Sequence, residues 1–94
     1  MSKPFKTTIA GGIAEMILAH PPVNAFDSAG WFAIAAEIDA LGVNDAVRVI
    51  IIGAAGKGFC AGVDIKELAA HPTRIVDVNK GNYETFRAIH RNPK

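Results

Sequence analysis

The sequence is short of almost everything that would mark a specialised class. It has one cysteine, Cys60, which excludes an internal disulfide and fits a reducing compartment. No apolar run approaches the ~20 residues needed to cross a bilayer. Met1-Ser2-Lys3-Pro4-Phe5-Lys6 leads into alternating residues rather than a continuous apolar stretch, so no signal peptide is visible. Neither charge sign dominates. Lys and Arg number 10 against 9 Asp and Glu, a net charge of +1, so no basic stripe points to nucleic acid. His20, His71 and His90 are too far apart to suggest a metal site. Repeats and low-complexity linkers are absent. What remains is half hydrophobic and one-fifth charged, a globular composition that argues against disorder. The expectation is a cytoplasmic protein without nucleic-acid or membrane partners. At 94 residues the chain would bury only about 60–65% of its unfolded surface, so alone it would be marginal.

Read in order, Phe5 to Ile9 and Ile13 to Leu18 flank Gly11-Gly12, which predicts a hairpin at a sheet edge. Ala14, Met16 and Leu18 share one face of the second strand, with Glu15 on the other. His20-Pro21-Pro22 stops the strand, and Val23-Asn24-Ala25-Phe26 reads as a short extended segment. Asp27 and Ser28 are candidate caps for a helix carrying Trp31, Ile34, Ala35, Ile38 and Leu41 at spacings of three and four, with Gly42 as its stop. Val47 to Ile52 is β-branched apart from Arg48 and predicts a strand covered on both faces. Asp64 to Ala70 predicts a short helix capped by Asp64, with Glu67 in a capping arrangement. Residues 73–78 are ambiguous. Asn79 to His90 places Tyr83, Phe86 and His90 at helical spacing, and Tyr83 and Phe86 on such a face are most often core. A strand flanked by helices means α/β with at least one crossover. The visible strands are too few to close such a fold. The chain is therefore expected to be the N-terminal part of one larger domain, or to complete itself by oligomerising.

The chemistry concentrates in Gly53-Ala54-Ala55-Gly56-Lys57-Gly58-Phe59-Cys60-Ala61-Gly62-Val63-Asp64. Glycines after a buried strand let the backbone approach another molecule closely. Three readings compete. Gly56-Lys57-Gly58-Phe59-Cys60-Ala61 matches a dinucleotide fingerprint, and Asp77 follows 21 residues after Gly56 (77 minus 56); but the next helix is cut at Pro72. A phosphate loop fails on glycine spacing. The third is an oxyanion hole: Val63 N–H beside a helix start, where developing negative charge is stabilised. Cys60 reads as a small packed residue rather than a nucleophile, Lys57 and Lys66 as solvated, and Trp31 and Phe32 as core or oligomer contacts.

The segment Gly56 to Glu67 resembles the signature loop of the crotonase (enoyl-CoA hydratase/isomerase) superfamily. Pro22-Val23-Asn24-Ala25, the helix after it and Arg48 to Gly53 fit the same family in order and spacing, and Asn92-Pro93-Lys94 looks like its lead into a further strand. The resemblance covers essentially the whole chain. It implies a crotonase-like fold of ββα units, of which 1–94 is the N-terminal portion, assembled as a homotrimer or homohexamer and acting on acyl-CoA thioesters in lipid metabolism. Coenzyme A is then part of the substrate, and no separate cofactor or metal is expected. The family polarises the thioester carbonyl with two backbone N–H groups. The first matches Val63, with Gly62 setting the loop geometry; the second belongs to a later glycine. Contacts to coenzyme A carry over to Val23, Ala25, Ala61, Val63, Asp64, Ile65 and Lys66. Valine at 63 departs from the small residue many relatives carry. The resemblance also implies that the region near Tyr83 and Phe86 can line the acyl tunnel. The catalytic glutamates of the hydratases lie after the second glycine, so Glu15, Glu37, Glu67 and Glu84 do not fill that role. Hydration of an enoyl-CoA, isomerisation and hydrolysis all follow from such a site. The runs Pro21 to Ala25, Trp31-Phe32 and Gly62 to Glu67 are similar to family hydrolases that open a steroid-derived ring as the CoA thioester. The alternative is a non-catalytic CoA-binding or oligomerising remnant.

Overall fold

The computed structural model describes residues 3–94. Two strands, β1 (Phe5–Ala10) and β2 (Ile13–Leu18), form the expected hairpin, with Phe5 opposite Leu18 and Ala10 opposite Ile13. Gly11 and Gly12 both sit at positive φ, +58° and +81°, as the tight turn between right-twisted strands requires. A two-residue strand, β3 (Ala25–Phe26), leads into α1 (Ser28–Gly42). Asp27 caps α1 through a 2.8 Å bond from Gly30 N–H. The chain then crosses over to β4 (Val49–Ala54), which lies parallel to β2, so the sheet order is β1-β2-β4. After the glycine loop, β5 (Gly62–Val63) pairs in parallel with β3. Helix α2 (Ile65–Ala70), a 3₁₀ turn (Pro72–Arg74) and α3 (Ile75–Arg91) complete the chain. The ambiguous stretch 73–78 is thus the turn plus the first coil of α3.

One face of the sheet is core. Ala14 and Met16 are fully buried, and Leu18 nearly so: Met16 and Leu18 pack with Phe26 of β3 and with Trp31, Ile34 and Ile38 of α1, and Ala14 packs with Leu41 and Val47. Burying a side chain as large as Met16 or Leu18 contributes about 1.5–3 kcal/mol. Phe26 meets Trp31 edge-on at 5.3 Å. Helix α3 crosses α1 through small residues: Val78, Gly81, Thr85 and Ala88 are its buried positions. Among the described residues no helix is long and apolar enough to cross a membrane.

Three expectations need correction. β4 is not covered on both faces: Val49 and Ile51 remain 49% and 45% exposed, because the helices pack on only one face of the sheet, the one that takes Ile50 and Ile52. Tyr83 and Phe86 are not core; they are 64% and 59% exposed, and His90 is exposed too, because the small side of α3 faces α1. Glu67 does not cap its own helix. Its carboxylate accepts from Ser28 N–H and Ser28 Oγ, each at 3.0 Å, closing the first turn of α1 from across the fold. Arg74 approaches the same carboxylate at 3.5 Å.

Candidate functional site

Asn24 organises the glycine loop. Its side chain accepts from His20 N–H at 2.7 Å and donates toward Ala55 O at 3.3 Å and Phe59 O at 3.0 Å. One buried amide therefore ties the Pro21-Pro22 turn to both ends of the loop. Asn24 is only 3% exposed and sits at φ +56°, so the segment is not extended there; the strand begins at Ala25. The available signal was residue type: asparagine tolerates the left-handed region and bonds to nearby backbone, and here it stands two residues after Pro21-Pro22.

The loop returns to the fold beside β3. Ala61 N–H donates to Val23 O at 3.0 Å and Asp64 N–H to Phe26 O at 2.9 Å. These donors are three residues apart, an odd spacing that a regular strand cannot direct to one side. Gly62, at φ +115°, takes up the odd step. Because strand N–H groups alternate sides and Asp64 N–H points to β3, Val63 N–H is turned away from β3. The next residue, Asp64, caps α2 by accepting from Lys66 N–H at 2.9 Å. With six residues, α2 supplies little dipole of its own, so backbone geometry rather than the helix field distinguishes this position.

Two cavities flank this backbone. One, of about 380 Å³, is lined by His20, Pro21 and Pro22 together with Val23, Ala25, Ala61, Val63, Asp64, Ile65 and Lys66. All seven residues that the sequence resemblance assigns to coenzyme A thus meet in one groove. Ile65 there is 73% exposed, an apolar side chain held at a groove edge. The other cavity, of about 360 Å³, is apolar: Phe26, Trp31, Ile34, Phe59 and Cys60 line it with Gly62, and α3 adds Asn82, Thr85, Phe86 and Ile89. Ala61 lines both, so Ala61-Gly62-Val63 forms the partition between them.

Other candidates stay apart. Lys57, His71 and His90 line neither cavity. Cys60 is the exception, lining the apolar cavity, where it is partly buried and packs against the core. Glu15, Glu37, Glu67 and Glu84 also line neither cavity. Glu37 accepts from Thr7 Oγ1, and Glu84 meets Arg87. No group of three metal-ligating side chains occurs among the described residues. The dinucleotide reading fails on geometry: the glycine loop runs into β5 and a six-residue helix, not a crossover helix.

A family model described as enoyl-CoA hydratase/isomerase matches residues 8–94. Two curated relatives carry the name (7aS)-7a-methyl-1,5-dioxo-2,3,5,6,7,7a-hexahydro-1H-indene-carboxyl-CoA hydrolase. The one from Mycobacterium tuberculosis (strain ATCC 25618 / H37Rv) is 42% identical over 86 residues, covering 89% of this chain and 35% of that protein. The one from Rhodococcus jostii (strain RHA1) is 42% identical over 86 residues, covering 89% and 33%. The chain thus spans about a third of the length of the curated relatives it matches. Among solved structures, an enoyl-CoA hydratase from Geobacillus kaustophilus HTA426 superposes with a TM-score of 0.88 at 27% identity, covering 100% of this chain and 36% of that one. One from Mycobacterium smegmatis gives 0.87 at 27%, covering 98% and 37%.

Proposed function

The chain belongs to the enoyl-CoA hydratase/isomerase (crotonase) family and has its fold, and from that premise we propose that the protein is an acyl-CoA-processing enzyme whose first oxyanion donor is Val63 N–H. The observation that carries this reading is the Ala61–Val63 partition. A thioester has a large polar nucleotide end and an apolar acyl end. A groove lined by the expected coenzyme A contacts on one side of the partition, and an apolar cavity on the other, would hold those ends with the carbonyl at the backbone between them. Val63 N–H, free of the strand ladder, would meet the thioester oxygen as charge develops there, and losing one such donor typically costs about 3–4 kcal/mol in the barrier. The second donor and the acid–base groups would come from residues beyond these 94, since no glutamate lines either cavity. We take the segment as the N-terminal portion of a single domain assembled as a homotrimer or homohexamer in the cytoplasm. Coenzyme A enters as part of the substrate, with no further cofactor.

The names of the two curated relatives favour hydrolysis of a bicyclic dioxo carboxyl-CoA over hydration of an enoyl-CoA. In a ring-opening step, water adds to a ring ketone and the adjacent carbon–carbon bond breaks. The ketone carbon leaves as a carboxylic acid carrying the water's hydroxyl, and the released electron pair is delocalised onto the thioester as an enolate, which needs the same two donors until the water's remaining proton is returned to carbon. The test is Gly62→Val in the full-length protein. Its Cβ would meet no atom within 4 Å, but φ is +115°. Turnover should fall by at least about a hundredfold, the scale of one lost donor, with the fold intact by circular dichroism. Retained turnover would sink the assignment. The remnant alternative rests on the absence of glutamates at the cavities. An intact mass of 9.9 kDa for the native polypeptide would favour it; a larger mass would favour the enzyme.

A further inference from the structure

Helix α3 turns one amide toward the apolar cavity. Asn82, Thr85, Phe86 and Ile89 lie at spacings of three and four and line it together. Thr85 is committed to the protein: its hydroxyl lies 2.8 Å from Trp31 O and 3.1 Å from Gly81 O. Asn82 is half-buried, and its amide has no hydrogen-bond partner among the described residues. It stands in the interior of a 17-residue helix, where asparagine is a poor helix former, and where leucine or methionine would extend the apolar wall. We propose that Asn82 is a specificity-determining residue that donates to an oxygen on the acyl group, so that the cavity selects a ring ketone over an unsubstituted hydrocarbon. This rests on the acyl-CoA reading of the site. An acyl group that fills the cavity displaces water from the amide. If it carries a ketone oxygen, that bond is replaced; if it is hydrocarbon, the amide is left unpaired, which is how hydrogen-bonding sites reject analogues lacking the partner atom.

The experiment uses the full-length protein and two probes: a bicyclic carboxyl-CoA bearing a ring ketone, and the same bicycle without it. Dissociation constants are measured by calorimetry for wild type, Asn82→Leu and Asn82→Asp. Wild type should bind the ketone about tenfold more tightly, a modest ratio because Asn82 is only half-buried. Asn82→Leu should erase the preference while binding the hydrocarbon thioester at least as well, which also shows the variant is folded. Asn82→Asp, which puts an acceptor where a donor is needed, should bind the ketone more weakly than wild type. A preference that survives Asn82→Leu, or no preference in wild type, overturns the inference and leaves the acyl-CoA reading standing. If neither thioester binds wild type, that reading fails and the inference falls with it.

Discussion

Helices α1 and α3 lie against each other but use their apolar residues in opposite ways. α1 buries its large ones: Trp31, Ile34, Ile38 and Leu41 are all 5% exposed or less. α3 buries small ones and leaves Val76, Tyr83 and Phe86 between 59% and 69% exposed. Its pattern is strongly amphipathic, but the contact with α1 runs along Val78, Gly81, Thr85 and Ala88, spaced three, four and three apart. The close approach this allows is visible at Gly81, where an added Cβ would sit 2.9 Å from Trp31 Cβ and 3.3 Å from the Phe32 ring. Periodicity alone therefore does not say which side of a helix is core. Here the small side packs, and the large side is free to line the apolar cavity, as Phe86 and Ile89 do.

The comparison is tested by paired substitutions in the full-length protein, read by urea denaturation. Ile38→Ala, at a position 2% exposed, should cost about 3–4 kcal/mol through lost transfer energy and a residual cavity. Gly81→Val should cost about 2–3 kcal/mol, since the helices must separate to admit the branched side chain. Phe86→Ala should cost less than about 1 kcal/mol, because more than half of the ring is already in water, yet it should raise KM for the acyl-CoA. If Phe86→Ala instead costs as much as Ile38→Ala, the contrast breaks. The outer side of α3 would then be core in the longer protein, buried by residues outside this segment.

Much of the architecture was legible because it is local. Gly11-Gly12 marks the hairpin, β2 alternates cleanly through Ala14, Met16 and Leu18, and α1 carries both its stripe and its Asp27 cap within a few residues. The misreadings concern partners distant in sequence. The run from Val49 to Ile52 is apolar at every position, so it cannot report that only one face is covered here. Glu67 stands where a capping residue of its own helix would stand, but its partner Ser28 is 39 residues away. The site was legible in a different sense. Residue chemistry left an oxyanion hole as the favoured of three readings of the glycine loop, and only the family resemblance tied Val23 and Ala25 to it. The parallel pairing of β3 with β5 is the physical reason that they belong together. Asn24, which ties the loop in place, looked like one more residue of an extended segment until its positive φ and three bonds were seen.

The smallest expected effect lies where α1 and α3 meet at the surface. Arg91 reaches across to Asp39, with Nε donating at 3.2 Å and a second nitrogen of the guanidinium bonded to the other carboxylate oxygen. The geometry is bidentate, the form that adds most to orientation. Both side chains are nonetheless 40% exposed or more, so water and salt compete for them. The carboxylate beside it raises the Arg91 pKa above its ordinary value, first through the hydrogen bond and then through charge. A raised pKa places the pair's contribution below the unfolded value, to be lost only as pH climbs through the folded one, in strongly alkaline solution. Across the neutral range, then, Arg91 should give no pH dependence to stability. Asp39→Asn should lower the melting temperature by no more than the scatter of repeat melts at 0.15 M salt, roughly where the screening length is 8 Å, and detectably only at low salt. A large loss at high salt would mean that Asp39 holds the two helices in register, and that small-residue packing along α3 is not sufficient by itself.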